Sequence, residues 1–154
     1  MTIRQNAQYL MDLIDTLTLL TRKTLLTWMP ELVSATGVTA ERYMVMFELS
    51  LQPDISLKTL SDNLLTSPPT MSVMVNSLVE LEMVTRITDP ADRRRVVLRL
   101  SAEGEEELQR VNRELLDRYT RYLSDLSEED QNDLGRTSQA LLTVVQRIME
   151  REKQ

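Results

Sequence analysis

The sequence predicts a mostly α-helical fold with a small β-hairpin: a winged helix-turn-helix between long helices at the two ends of the chain. Three observations predict it. Apolar residues recur at helical spacing near both ends. Ser56 and Ser67 stand where two short consecutive helices would begin. Two segments rich in β-branched residues, 84–88 and 95–100, flank a turn at Asp89-Pro90 and predict a hairpin.

The N-terminal third predicts two helices. Leucine and isoleucine recur at helical spacing over residues 3–33, and Pro30 is expected to kink or end this helix. A break is expected at 35–37. Thr39 then caps a second helix that runs to about Leu51, where a Gln-Pro-Asp turn ends it.

The next segment predicts a helix-turn-helix. Ser56 caps a helix over 57–64, and Leu65-Thr66 forms the turn. Ser67 caps a second helix that reaches about Leu81, with Pro68 at the first position, where a missing N–H costs nothing. Its expected buried residues are Met71, Val75, Leu78 and either Val79 or Leu81, whereas Thr70, Ser72, Val73 and Asn76 are expected to face outward.

The hairpin follows, and two helices complete the chain. Val96, Leu98 and Leu100 fall on one face of the second strand. Ser101 caps a helix from Ala102 to about Tyr122, and four glutamates in its first turns favour the helix dipole. A capping box at Ser127–Asp130 predicts the last helix, to about Glu150.

Composition argues against an enzyme. The 154 residues include no Cys and no His, which removes thiol and imidazole chemistry and the usual ligands of zinc and copper. With only three Gly, neither a Gly-rich dinucleotide loop nor a phosphate-binding P-loop can be written. We therefore expect no catalytic residue, no cofactor and no metal site.

Charge is unevenly distributed. The net charge is −6, yet residues 55–100 carry +1 and the segment from Ser101 onward carries −5. Arg93, Arg94 and Arg95 stand together at the tip of the predicted hairpin. A projecting cationic hairpin on an otherwise acidic chain indicates an anionic polymer as partner, although a charge run is often only a solvated turn.

At this point the chain resembles the MarR (multiple antibiotic resistance regulator) family. Asp92, Arg94, Leu100 and Ser101 fit its D-x-R-x-x-x-x-x-L-T signature, with Ser for Thr. The helix-turn-helix and the start of the following helix are also similar, so the resemblance covers essentially the whole chain. Glu82 stands where the family usually has Gly, which implies a different, tighter helix ending.

The resemblance implies contacts with double-stranded DNA: a recognition helix, Ser67 to Leu81, in the major groove and a wing in the minor groove. It implies that Arg94 enters the minor groove while Asp92 pairs with an arginine. The recognition helix has no Lys or Arg, so Arg-to-guanine readout is in doubt. The candidate DNA-binding residues are Lys58, Ser67, Thr70, Ser72, Val73, Asn76, Arg86, Asp92, Arg93, Arg94 and Arg95.

The resemblance also implies a homodimer. Residues 1–36 and 101–154 would form the dimerisation helices and 37–100 the DNA-binding domain. Trp28, Tyr43 and Phe47 either line a pocket for a small apolar or aromatic effector, as in relatives, or belong to the core. The nine Met residues are interpreted as core packing rather than oxidation sensors.

We therefore expect a transcriptional regulator, a repressor, that binds a pseudo-palindromic operator and is released by an effector if one exists. The alternative is a winged-helix protein-interaction module without direct DNA binding, which the acidic pI of about 4.8 favours.

No apolar run approaches the roughly 20 residues that span a bilayer, and Asp12 and Asp15 interrupt the N-terminal apolar stretch. A cytoplasmic location without membrane contact is the default expectation.

Overall fold

The computed structural model describes residues 1–34, 37–88, 92 and 95–152. These residues form six helices and one two-stranded antiparallel sheet. In chain order the elements are α1 (Ile3–Ser34), α2 (Ala40–Leu51), α3 (Leu57–Asn63), α4 (Pro68–Glu80), β1 (Val84–Thr88), β2 (Val96–Leu100), α5 (Ala102–Leu123) and α6 (Glu128–Glu152).

The first helix passes through its proline. Pro30 lies inside α1, which continues to Ser34, so the proline does not end the helix. Positions 35 and 36 of the predicted break lie outside the described residues, and Gly37 beside them has φ +73°, a conformation that glycine adopts without strain. Arg110 of α5 donates from Nη2 to the Leu32 carbonyl at 2.7 Å and so satisfies one carbonyl of the last turn of α1.

Serine and threonine caps begin the next three helices, as predicted. Thr39 accepts from the Arg42 N–H, Ser56 from the Thr59 N–H and Ser67 from the Thr70 N–H. Each cap satisfies one backbone donor that would otherwise lack an intrahelical partner. These caps fix where α2, α3 and α4 start.

The turn between α3 and α4 is a Schellman motif. Leu65 donates to the Asp62 carbonyl and Thr66 donates to the Ser61 carbonyl, which closes the end of α3. Leu65 has φ +49° and its side chain is 94% exposed. The chain therefore reverses direction between α3 and α4 over two residues, and the exposed Leu65 takes the left-handed conformation.

The sheet pairs β1 with β2 in the register Val84↔Leu100, Arg86↔Leu98 and Thr88↔Val96. Ile55 adds an isolated antiparallel bridge to Leu98, so β2 is hydrogen-bonded on both sides at this point. Val96 is exposed while Val97 is buried. Because side chains alternate along a strand, Val96 does share a face with Leu98 and Leu100, but it lies at the end where the core no longer covers that face.

The buried core joins α1, α2, α3, α4, the sheet and the first turns of α5. Its largest fully buried side chains include Leu32, Met46, Leu49, Leu60, Met71, Leu78, Leu98 and Val111. Met71, Val75 and Leu78 are buried at helical spacing, as predicted, and direct the opposite face of α4 toward solvent. The fourth predicted position is not buried, because Val79 is only half-buried and Leu81 is exposed.

The chain divides into two compact units, 1–112 and 113–154. The second unit holds the end of α5 and all of α6. Several large apolar side chains of α6 are exposed within the chain, namely Leu134, Leu142, Val144, Ile148 and Met149. The first unit also exposes apolar side chains, along α1, namely Ile3, Tyr9, Met11, Ile14, Leu19 and Leu26. Among the described residues, no helix has the length and hydropathy that a bilayer crossing requires.

Candidate nucleic-acid interface

The outward face of α4 is the first part of the candidate site. Thr70, Val73 and Asn76 are exposed and lie at three-residue intervals, so they share one face. Val73 is 66% exposed although it is apolar. Ser72 is only half-buried and lies to the side of this face. The structure thus brings together three of the four residues predicted to face outward.

The first turn of α4 has few backbone donors to offer. Pro68 and Pro69 carry no N–H, and the Thr70 N–H donates to Ser67 Oγ at 3.3 Å. The Ser67 and Thr70 hydroxyls also share a hydrogen bond of 2.8 Å. The first three residues of α4 therefore leave no free N–H group that could bind a phosphate. Ser67 itself remains exposed.

A side-chain hydrogen bond joins α4 to the sheet. Arg86 of β1 donates from Nη2 to Oδ1 of Asn76 at 2.5 Å, and both residues are exposed. The bond uses the amide oxygen of Asn76 and leaves its Nδ2 donor directed elsewhere. Two predicted DNA-binding residues are thus held together at the base of the hairpin.

A second link fixes the other side of the hairpin. Arg99 of β2 donates from Nε and Nη2 to the two carboxylate oxygens of Asp54, at 2.9 and 2.5 Å. The arginine lowers the pKa of the Asp54 carboxyl, and the carboxylate raises the pKa of Arg99. Asp54 also has φ +64° and donates its N–H to the Leu98 carbonyl.

Neither Arg99 nor Asp54 was predicted as a site residue. The two residues are 45 positions apart, so no local spacing indicated the pair. The ion pair holds the loop before α3 against β2, and with the Arg86–Asn76 bond it anchors both strands of the hairpin.

The predicted tip of the hairpin is only partly described. Arg93 and Arg94 lie outside the described residues, so their predicted roles stay predictions. Asp92 and Arg95 are exposed, and the Arg95 N–H donates to the Asp92 carbonyl at 2.8 Å. Lys58 is exposed on α3.

The helix ending before β1 differs from expectation. Glu82 has φ +60°, its N–H donates to the Val79 carbonyl, and the Met83 N–H donates to the Leu78 carbonyl. This is the Schellman ending that a glycine would favour, so the predicted different, tighter ending is wrong: Glu82 adopts the left-handed conformation at a cost in strain. Ser101 Oγ donates to the Glu82 carbonyl and helps to hold it.

Of the three aromatic residues predicted as an effector site, two contact each other. The Tyr43 and Phe47 rings stack at 6.5 Å between centroids, with an interplanar angle of 16°. Tyr43 is buried and donates its hydroxyl to Asn112 Oδ1 at 2.8 Å, and burial raises the pKa of its phenol. Trp28 is half-buried, and Phe47 is 37% exposed.

A cleft of about 410 Å³ lies elsewhere, between the end of α2, β2 and the start of α5, and Asp54 and Arg99 line part of it. Its lining includes none of the three aromatic residues. An effector pocket built from Trp28, Tyr43 and Phe47 stays a prediction.

The chain is similar to known proteins in sequence and in fold. The profile of the MarR family matches residues 38–96, which run from just before α2 to the start of β2. Among curated proteins, no sequence matches the chain.

Solved structures share the fold over most of both chains. The transcriptional regulator Tm0710 of Thermotoga maritima is 20% identical, with a TM-score of 0.74, over 93% of this chain and 98% of that chain. Wild-type MarR of E. coli in its apo form is 19% identical, with a TM-score of 0.67, over 83% and 96%. A mutant MepR of S. aureus bound to an oligodeoxyribonucleotide is 18% identical, with a TM-score of 0.63, over 90% and 97%. The likeness confirms the predicted winged helix-turn-helix.

Proposed function

The profile of the MarR family matches residues 38–96, and from this likeness we propose that the chain is a winged-helix regulator of that family, which binds double-stranded DNA as a homodimer and represses transcription. In this proposal α4 enters the major groove of a pseudo-palindromic operator and the hairpin enters the flanking minor groove. The protein acts as a cytoplasmic regulator and not as an enzyme.

One observation carries the proposal: α4 presents an uncovered face, and the hairpin that follows it is fastened to that helix. Arg86 of β1 donates a hydrogen bond to Asn76 of α4, and Arg99 of β2 forms an ion pair with Asp54 in the loop before α3. These two links hold both strands of the hairpin at a set position relative to α4 and to the loop before α3. Arginine suits a narrow minor groove, where the potential is most negative.

Homodimerisation is supported by the terminal helices. The exposed apolar residues of α6 include Leu142, Val144 and Ile148, and α1 exposes Ile14 and Leu19. Such apolar surface on long helices favours association over exposure to water. A second copy of this chain is the occupant that we propose for these faces.

Repression follows from occupancy of the operator, which excludes RNA polymerase. An effector would act by favouring one separation of the two α4 helices over another, which is a population shift. Trp28, Tyr43 and Phe47 remain the proposed contacts for a small apolar or aromatic effector, with Tyr43 and Phe47 already stacked.

The test is an electrophoretic mobility shift with genomic DNA fragments at two salt concentrations. We expect retarded fragments at both concentrations, with weaker binding at the higher one because phosphate contacts release counterions. A correctly folded protein that shifts no fragment at low salt would favour the rival function, a winged-helix protein-interaction module.

A further inference from the structure

The exposed face of α4 has little with which to read guanine. The helix contains no Lys or Arg, and its first two residues, Pro68 and Pro69, have no N–H. The Thr70 hydroxyl is hydrogen-bonded to Ser67, and the nearby Arg86 donates to Asn76. The common recognition of guanine is a bidentate contact from Arg or Lys to O6 and N7. Nothing on α4 itself can make that contact.

The exposed face of α4 also presents apolar side chains. Pro69 and Val73 are exposed and four residues apart, so they lie one helical turn from each other on the same side. Val73 is 66% exposed, so most of its surface is open to solvent. Valine is also a weaker helix former than Ala or Leu. An exposed, β-branched residue in the middle of this helix therefore contributes little to stability.

Asn76 continues the same face by one further turn. Because its Oδ1 accepts from Arg86, the group that it presents outward is the Nδ2 donor. In the major groove, the thymine O4 and the adenine N7 are both acceptors. Guanine N7 and O6 are acceptors as well, so this donor alone does not select a base pair, and any discrimination must come from the apolar side chain beside it.

Of the four bases, only thymine places a methyl group in the major groove. We propose that Val73 contacts the C5-methyl of a thymine in each half-site, so that this protein discriminates its operator by apolar contact rather than by a charged one. The proposal rests on the proposed function, since it requires α4 to enter the major groove.

The experiment uses the full-length protein and a duplex selected by it from a random DNA library. Binding is measured by fluorescence anisotropy for that duplex and for the same duplex with deoxyuridine in place of each thymidine under α4, which removes only the methyl group. We expect the dissociation constant to rise about fourfold for each half-site contact, as the loss of one buried methyl predicts.

The variant Val73→Ala is expected to lose most of the difference in affinity between the two duplexes, because it lacks the two γ-methyl groups that would reach the thymine methyl. Ala favours the helix more than Val does, so this variant keeps α4 intact. Leu51→Ala is the matched control: Leu51 is also exposed, at the end of α2, and its removal should leave the deoxyuridine penalty unchanged.

The outcomes separate the two proposals. If the wild-type protein binds both duplexes equally, or if Val73→Ala retains the full penalty, the thymine contact is wrong while DNA binding stands. If no duplex can be selected at all, the proposed function fails, and the thymine contact fails with it.

Discussion

Glu82 occupies a backbone position that suits glycine. Its φ of +60° closes α4 in a Schellman motif, and an L-residue with a β-carbon pays about 1–2 kcal/mol there. A glycine at position 82 would remove this strain, but the greater entropy of the unfolded chain would lower the free energy of unfolding by about 0.4–1 kcal/mol. We expect Glu82→Gly to raise the free energy of unfolding by about 1 kcal/mol in urea titration. Glu82→Ala keeps the β-carbon and should bring no such gain; an equal gain would show that charge, not strain, was relieved.

Gly104 and Gly135 lie in two helices and should respond oppositely to the same substitution. A Cβ on Gly104 would overlap the Met83 carbonyl oxygen, whereas a Cβ on Gly135 would meet nothing within 4 Å. Gly104→Ala is expected to lower the free energy of unfolding by about 1–3 kcal/mol, because a backbone carbonyl must move. Gly135→Ala should raise it by about 0.5–1 kcal/mol through helix propensity. Thermal and urea unfolding of both variants would test the pair, and loss of stability in both would contradict it.

Tyr43 gives the fold a pH dependence in the alkaline range. Burial raises the pKa of its phenol above the usual value of 10.0, so the folded chain keeps the proton where the unfolded chain loses it. Its contribution to stability is therefore complete below pH 10 and is lost as pH rises through the pKa of the folded state. Absorbance at 295 nm should show one of the four tyrosines ionising late. The late step should vanish in Tyr43→Phe; if it persists, another tyrosine is responsible.

Among the elements, the hairpin concentrates the positive charge of its segment. Half of the cations of residues 55–100 are Arg93, Arg94 and Arg95. Each lost phosphate contact should reduce the slope of log K against log salt by about 0.9. We expect Arg94→Ala to weaken binding to the selected duplex and to reduce that slope by about 1, with the circular dichroism spectrum unchanged.

Arg136→Ala provides the control for this change. Arg136 lies on α6 and pairs with Asp133 at 2.9 Å, so its loss alters net charge by the same amount without touching the hairpin. Its salt slope should match that of the wild-type protein. If Arg94→Ala binds as tightly as the wild type at every salt concentration, the wing does not supply the expected affinity.

At the scale of the whole molecule, the proposed function requires two copies of the chain. A two-fold dimer presents two α4 helices, and these can enter successive major grooves on one DNA face only about 34 Å apart. Half-sites should therefore lie about 10 bp apart, centre to centre. Inserting 5 bp between them turns one half-site by about half a helical turn, and binding should collapse in a mobility shift assay.

A full-turn insertion restores the DNA face but not the distance, so a rigid dimer should still bind poorly. Sedimentation at micromolar concentration is the independent check, with a dimer expected. Tolerance of both insertions, or a monomer in the centrifuge, would be incompatible with the two-fold arrangement.

Local chemistry in the sequence determined the elements and their order. Ser56, Ser67 and Thr39 cap helices because their side-chain oxygens satisfy nearby backbone donors, and that interaction spans only three residues. The inner face of α4 followed from the spacing of Met71, Val75 and Leu78. The order of a helix-turn-helix followed by a β-hairpin predicted the winged helix.

Only the tertiary structure decided how the hairpin is held. The Arg99–Asp54 pair, the Arg86–Asn76 bond and the Arg110 contact with the Leu32 carbonyl join residues 10 to 78 positions apart. No periodicity encodes such partners, because they depend on how packed elements meet. The left-handed conformation of Glu82 was not predicted, although Glu82 stands at the glycine position of the family. Two backbone hydrogen bonds close α4 at this residue and Ser101 donates to its carbonyl, whereas an L side chain disfavours its φ of +60°.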